Sequence, residues 1–388
     1  MHQQGFDDLQ ARLDELRGRG MYRTLRRVEG RQGRVLEVEG RRLLNFCSND
    51  YLGLAGDPRV AEAFARGVDR WGVGSGASHL ITGHTAAHAE LEEALADFTG
   101  RPRALLYSSG YAANVGVINA LLTRGDQVFQ DRLNHASLLD GGWISRADFH
   151  WFEHRDYEDL EKRLGASGEP GCRKLVVSDG TFSMDGDLCG IEQAVAAGHQ
   201  HGAWLMIDDA HGMGVHGHAG VGMVDPARFS TADVPVLVGT LGKAFGTAGA
   251  FVAGEQALIE TLIQRSRNYV FSTAIPAAVA VATLTSLEIV QREGWRRERL
   301  ASLIERFRHG VAAAGRYHLL DSQSPIQPIV VGDPAATVAL SQRIEQAGCL
   351  CTAIRPPTVP EGTSRLRVTL SAVHTDEDVD TLLTVLHA

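Results

Sequence analysis

The feature that most constrains this chain is a succession of short apolar runs, each closed by small or acidic residues and most followed by a helical stretch. RALLYSSG precedes YAANVGVINALL; DQVFQD follows; KLVVSDGTF precedes LCGIEQAVAAGHQHG; then come AWLMIDDAHG, VPVLVGTLGK and GAFVAG with a long helix after it. Continuous Val, Leu and Ile runs are the pattern of strands covered by helices on both faces, so the chain reads as a mostly parallel α/β sheet from about Phe46. In such a sheet, binding residues gather past the carboxyl ends of the strands.

A length of 388 residues exceeds what one core organises. The texture shifts near Gln291 to the charged helix REGWRRERLASLIERFRHGVAAAG, then PIQPIVVGD, another helix and RLRVTLSAVHT. The division expected is an arm over 1–45, a large α/β domain over 46–290 and a small α+β domain over 291–388. Within the arm, Phe6, Leu9, Leu13 and Leu16 stand at helical spacing among charges, which predicts an amphipathic helix and not a signal peptide. RVLEVEGRRLLNF alternates around Glu-Gly and predicts a hairpin.

Several function classes fall away. A net charge of −9 with no long Lys/Arg run argues against nucleic acid as a partner. Ala274 to Val290 is interrupted by Pro276, Thr285, Ser286 and Glu288, so it reads as a buried helix and no membrane association is expected. Cys47, Cys172, Cys189, Cys349 and Cys351 show no C-x-x-C pair and fit free thiols in a reducing cytoplasm, with Cys349 and Cys351 as core residues of a strand. His211, His216 and His218 match no common metal spacing and read as a loop; no metal is expected.

Four polar groups fall just past strand ends. Lys243, in TLGKAFG, is flanked by small residues that admit a planar cofactor to its amine; a surface loop lysine is the plain alternative. A nucleotide P-loop is excluded, since Leu237 and Ala244 stand where Gly and Ser/Thr are required. Asp208 ends the apolar strand AWLMID, where a carboxylate is costly unless a cation or donors meet it; a helix cap by Asp208 or Asp209 is the alternative. The pyridinium nitrogen of pyridoxal phosphate (PLP) is such a cation. His211 could donate to a phenolic oxygen of that ring or be an ordinary loop histidine. YSSGYAANVG passes from strand to helix and leaves amides at Gly110 to Ala112 for a phosphate, or is a plain Ser-Gly cap. His135, in DRLNHASLLDG, could lie against the ring or be structural.

NFCSNDYLGL, GSGASHLITG, LNHASLLDG, FSMDGD, IDDAHGMGV, TLGKAFG and FSTAIP, in that order, resemble the landmarks of the α-oxoamine synthases over nearly the whole chain. The resemblance implies the type I PLP-dependent transferase fold, a mostly parallel seven-stranded sheet with helices on both faces and a small C-terminal α+β domain. It implies that Lys243 carries PLP as a Schiff base, Asp208 pairs with the ring nitrogen and His135 stacks on the ring. Ser183 and His211 would contact the phenolic oxygen side. Gly110, Tyr111 and Thr240 would approach the phosphate, joined by Ser272 and Thr273 from the second subunit of a homodimer. Arg355 would bind a substrate carboxylate, Arg23 the carboxylate of the acyl tail in competition with Arg26, and Asn49 and Thr358 would also lie at the substrate. The stretch AIRPPTVPEGTSRLRVTLSAVHT resembles the members that condense L-alanine with a pimeloyl thioester; other members use glycine with acetyl-CoA or succinyl-CoA, or serine with palmitoyl-CoA. Asp179 departs from the family's usual Glu, which leaves its contact open. A PLP-binding dimer without catalysis and a nucleotide-driven ligase are the readings from other classes.

Overall fold

The computed structural model describes residues 7–166 and 171–387. Its central sheet has seven strands: β1 (Arg103–Tyr107), β2 (Gln127–Asp131), β3 (Asp148–Phe152), β4 (Lys174–Asp179), β5 (Trp204–Asp208), β6 (Val236–Thr240) and β7 (Ala250–Gly254). They lie in the order β1-β7-β6-β5-β4-β2-β3. Only β7 runs against its neighbours, β1 and β6. The middle strands are buried along almost their full length, as their unbroken apolar runs demand. One layer of core, with Leu105, Val128, Val177, Met206 and Val238, packs under the helix Gly110–Leu121; the other, with Leu106, Phe129, Val176 and Ile207, continues into the C-terminal part of the chain.

One strand, β3, escaped the sequence reading. Its ADFHWF context is aromatic and half-exposed at the sheet edge rather than a run of Val and Leu. The long helix expected after GAFVAG is divided into Gln256–Arg265, Arg267–Val270 and Ala277–Arg292. Pro276 enforces the last break: it has no amide to donate and so stands before the final helix. The break leaves Ser272 and Thr273 in a loop.

The first residues hold a helix and a hairpin. Asp7–Gly18 is helical with Leu9 and Leu13 exposed, while Phe6 lies outside the described residues. Val35–Val38 and Arg41–Asn45 make the hairpin, closed by Glu39 and Gly40 at φ of 52° and 77°, a turn that suits the twist of antiparallel strands. Cys349–Leu350 joins this hairpin in parallel, a long-range pairing that no local pattern signals. Cys349 and Cys351 are buried and all five cysteines are free. Ile326–Gly332 and Ser364–Thr369 pair in a second antiparallel sheet, packed by the helices Trp295–Ala314, Pro334–Gln346 and Asp376–His387. Among the described residues no helix is long and apolar enough to cross a membrane.

Candidate active site

The carboxyl ends of β2, β4, β5 and β6 bring the site together. Lys243 follows β6, and its Nζ lies 3.0 Å from His211 Nε2. His211 is buried, and its Nδ1 is 2.7 Å from the hydroxyl of Tyr51, which donates to Asn49 Oδ1 at 3.2 Å. That chain places a proton on His211 Nδ1 and leaves Nε2 to accept from the lysine. Burial, then the positive charges of Lys243 and Arg367, hold the imidazole well below its ordinary range, so it is neutral. Burial likewise lowers the Lys243 amine, opposed by Asp208 and Asp179.

Asp208 ends β5 at 5% exposure and accepts from Asn114 Nδ2 at 2.6 Å and from the amide of Ala210 at 3.0 Å. Both donors are neutral. A buried carboxylate held only by neutral donors is stabilised by a facing cation, which a protonated pyridine nitrogen supplies. PLP therefore fits these residues. Beside Asp208 in register lies Asp179, whose Oδ2 accepts the backbone amide of His135 at 2.6 Å. Burial, then the neighbouring Asp208, raise the Asp179 carboxyl well above its usual value. The shorter carboxylate at 179 thus has a definite contact: it fixes the start of the loop that presents His135.

At the end of β1, Ser109 caps the helix Gly110–Leu121 by accepting the amide of Ala112 at 3.1 Å. This corrects the expectation that Ala112 offers its amide to a ligand; the cap spends it, and an anion at this helix end would meet Gly110 and Tyr111. A side chain at 110 would meet nothing within 4 Å, so the approach is open. Tyr111 is half-exposed and its hydroxyl donates to Asp140. Thr240 Oγ1 donates to the carbonyl of Gly249 at 3.2 Å. Ser272 and Thr273 line a small cleft with Ser108, and Phe271 beside them is 72% exposed.

His135 and Ser183 line one cavity of about 600 Å³ with Thr358 and Arg365. Thr358 also borders a cleft of about 820 Å³ with Arg23, Arg26 and Arg355. Arg23 donates to Thr358 Oγ1 at 3.3 Å, whereas Arg26 is engaged by Glu345 and Glu39. Arg355 donates to the carbonyl of Gly20.

Four further residues belong to this constellation. Arg367, 8% exposed, donates to the carbonyl of Ser183 at 2.6 Å and to Asn49 Oδ1 at 3.2 Å, and its charge reaches Lys243. Its one sequence signal was a second arginine inside the strand RLRVT. Tyr51 could have been found as the aromatic of NDYLGL. Asn114 and Ser137 lie on helices and carried no signal.

Just past β3, His154 bridges the end of β2 and the loop that carries Ser183. Its Nδ1 faces Asp131 Oδ1 at 2.9 Å and its Nε2 faces Asp187 Oδ2 at 2.8 Å. Burial alone would lower its pKa, but the two carboxylate bonds outweigh it and push the imidazole up to about 9. Because this lies above the unfolded value near 6.5, the clamp stabilises fully below about pH 6.5 and is lost as pH rises through about 9. Urea unfolding at pH 6.5 and 9.5 is expected to show about 3 kcal/mol of pH-dependent stability that His154→Gln lacks. Equal pH dependence in both proteins would refute the clamp.

A lysine after the sixth strand, an acid at the end of the fifth and an open helix N-terminus after the first define a PLP-dependent enzyme of the type I fold. Residues 41–386 match the family described as Aminotransferase class I and II. An 8-amino-7-oxononanoate synthase of Nitrosococcus oceani is 57% identical, covering 95% of this chain and 98% of that protein. One from Saccharophagus degradans is 55% identical over 98% and 95%. Among solved structures, a serine palmitoyltransferase of Sphingomonas wittichii superposes with a TM-score of 0.92 at 34% identity, covering 98% of this chain and 96% of that one. An 8-amino-7-oxononanoate synthase of Francisella tularensis gives 0.77 at 28% identity, over 89% and 97%. The chain belongs to the class I and II aminotransferase family and, within it, to the 8-amino-7-oxononanoate synthases.

Proposed function

We propose that the chain condenses L-alanine with a pimeloyl thioester, releasing carbon dioxide, the thiol and 8-amino-7-oxononanoate in biotin biosynthesis. The observation that carries the reading is the approach of Lys243, His211, Asp208 and Arg367 at one end of the sheet. Bound covalently at Lys243, PLP supplies a cationic ring that accepts the electrons of the bond broken at the amino-acid Cα. Asp208 keeps that ring nitrogen charged. Burial favours the neutral form of the Lys243 amine, so Nζ can take the Cα proton of alanine and later return one.

Arg367 and Asn49 hold the alanine carboxylate that is lost as carbon dioxide, with Arg355 as the second cation on the loop that carries Thr358. Arg23 meets the carboxylate at the far end of the acyl chain; its guanidinium meets the neutral hydroxyl of Thr358, whereas that of Arg26 is paired with the carboxylates of Glu345 and Glu39, which supports that choice. An acetyl group would give Arg23 nothing to bind. His135 would lie on the ring, Ser183 and His211 would stand on its phenolic side, and Gly110, Tyr111 and Thr240 would hold the phosphate. Ser272 and Thr273 reach the phosphate of a second copy in a homodimer, which the exposed Phe271 and Ile81 beside them support. The enzyme works in the cytoplasm, where its free thiols persist.

The test is carbon dioxide release from each amino acid paired with each thioester. Turnover is expected with L-alanine and the pimeloyl thioester; turnover confined to glycine with acetyl-CoA would refute the assignment.

A further inference from the structure

His135 begins the helix Ala136–Ser145 and caps it with its own ring: Nδ1 accepts the amide of Ser137 at 3.3 Å. The same Nδ1 lies 2.7 Å from Ser137 Oγ. Ser137 is fully buried, and its hydroxyl is also 2.9 Å from Asn114 Nδ2. Asn114, 1% exposed, places that same nitrogen 2.6 Å from Asp208 Oδ2.

The polarity at the histidine is set by the backbone amide of Ser137, which can only donate, so Nδ1 accepts. An amide oxygen turned toward Asp208 would put two acceptors 2.6 Å apart, so the NH₂ group faces the carboxylate. Its second hydrogen then goes to Ser137 Oγ, which must accept. The hydroxyl's one proton is left for His135 Nδ1, which already accepts an amide. Two donors converge on Nδ1, so that nitrogen carries no hydrogen. The cost appears on Asn114: its Oδ1 is buried without a partner.

We infer that Asn114 and Ser137 are positioning residues that hold His135 neutral with its proton on Nε2, making the ring a fixed hydrogen-bond donor to a substrate oxygen. The inference rests on the proposed site only in naming that oxygen; the tautomer follows from the protein's own bonds. Protonating Nδ1 would set a hydrogen against two others and break the cap. The groups that face the ring electrostatically are Asp208 and Asp140, which favour its charged form, and Lys243, which opposes it; Asp179 holds the residue's backbone amide. Running the chain from Asp208 ties the acid under the cofactor to the histidine over it, so disturbing Asn114 disturbs both.

The test is ¹⁵N NMR of ring-labelled holoenzyme, with the His135 signals assigned by their loss in His135→Gln. Between pH 6.5 and 8 the wild-type ring is expected to show a bare Nδ1 and a protonated Nε2. Ser137→Ala removes one of the two donors, and the midpoint of the ring's titration is expected to rise by about one pH unit, a tenfold easier protonation. A proton on Nδ1, a cationic ring at pH 7 in the wild type, or an unchanged titration in Ser137→Ala would overturn the inference. Retention of PLP by the labelled protein is scored separately by absorbance. Its absence would count against the site reading, while the wild-type tautomer would still decide this one.

Discussion

Lys243→Ala is expected to abolish covalent attachment of PLP and to lower turnover by about 10⁴-fold, the upper range for losing a positioned proton-transfer group. The amine serves twice, as the point of attachment and as the base at Cα, and no other side chain in the site can replace it. The chain has only two further lysines, Lys162 and Lys174. Lys174 donates to the carbonyl of Leu164 at 2.8 Å, and Lys162 is exposed on the helix Tyr157–Ala166. Folding should survive, because the amine's bonded contact is His211 alone among the described residues. Far-ultraviolet circular dichroism together with a carbon dioxide assay checks both halves; turnover within tenfold of wild type would contradict the assignment.

Asp208→Asn is expected to keep PLP attached but to slow exchange of the alanine Cα hydrogen with solvent by about 10³-fold. A carboxylate at about 4 Å from a cation, at an effective dielectric near 20, contributes roughly 4 kcal/mol, or about three pKa units of preference for the charged ring. An amide of the same shape supplies none of it. The acid's two bonded donors, Asn114 and the amide of Ala210, are neutral, so the missing charge cannot be made up from within the protein. Exchange measured with deuterated alanine in the absence of thioester isolates this effect. An exchange rate close to wild type would show that Asp208 serves the fold alone.

The contrast between what the sequence shows and what it conceals is physical. Asp208 ends its strand, and Lys243 and the Ser109–Gly110 turn follow theirs by a few residues, so local patterning places them at one end of a sheet. Arg367 reaches Asn49 across 318 positions, and Tyr51 reaches His211 across 160. Neither contact has a period or a spacing to read. Asn114 and Ser137 look like ordinary helical residues until the helices Gly110–Leu121 and Ala136–Ser145 pack together. The edge strand β3 was hidden because half-exposed aromatic strands lack the unbroken aliphatic run of the buried ones. Asp179 was visible as a departure from the family, yet its bond to the amide of His135 depends on β2 and β4 lying side by side.

The claim on which the rest depends is a bond between one amine and PLP. Purified holoenzyme reduced with borohydride, digested and weighed by mass spectrometry tests it most directly. The account predicts a pyridoxyl phosphate mass on the peptide containing Lys243 and on no peptide containing Lys162 or Lys174. Label on either of those lysines, or none on any after incubation with PLP, would contradict it.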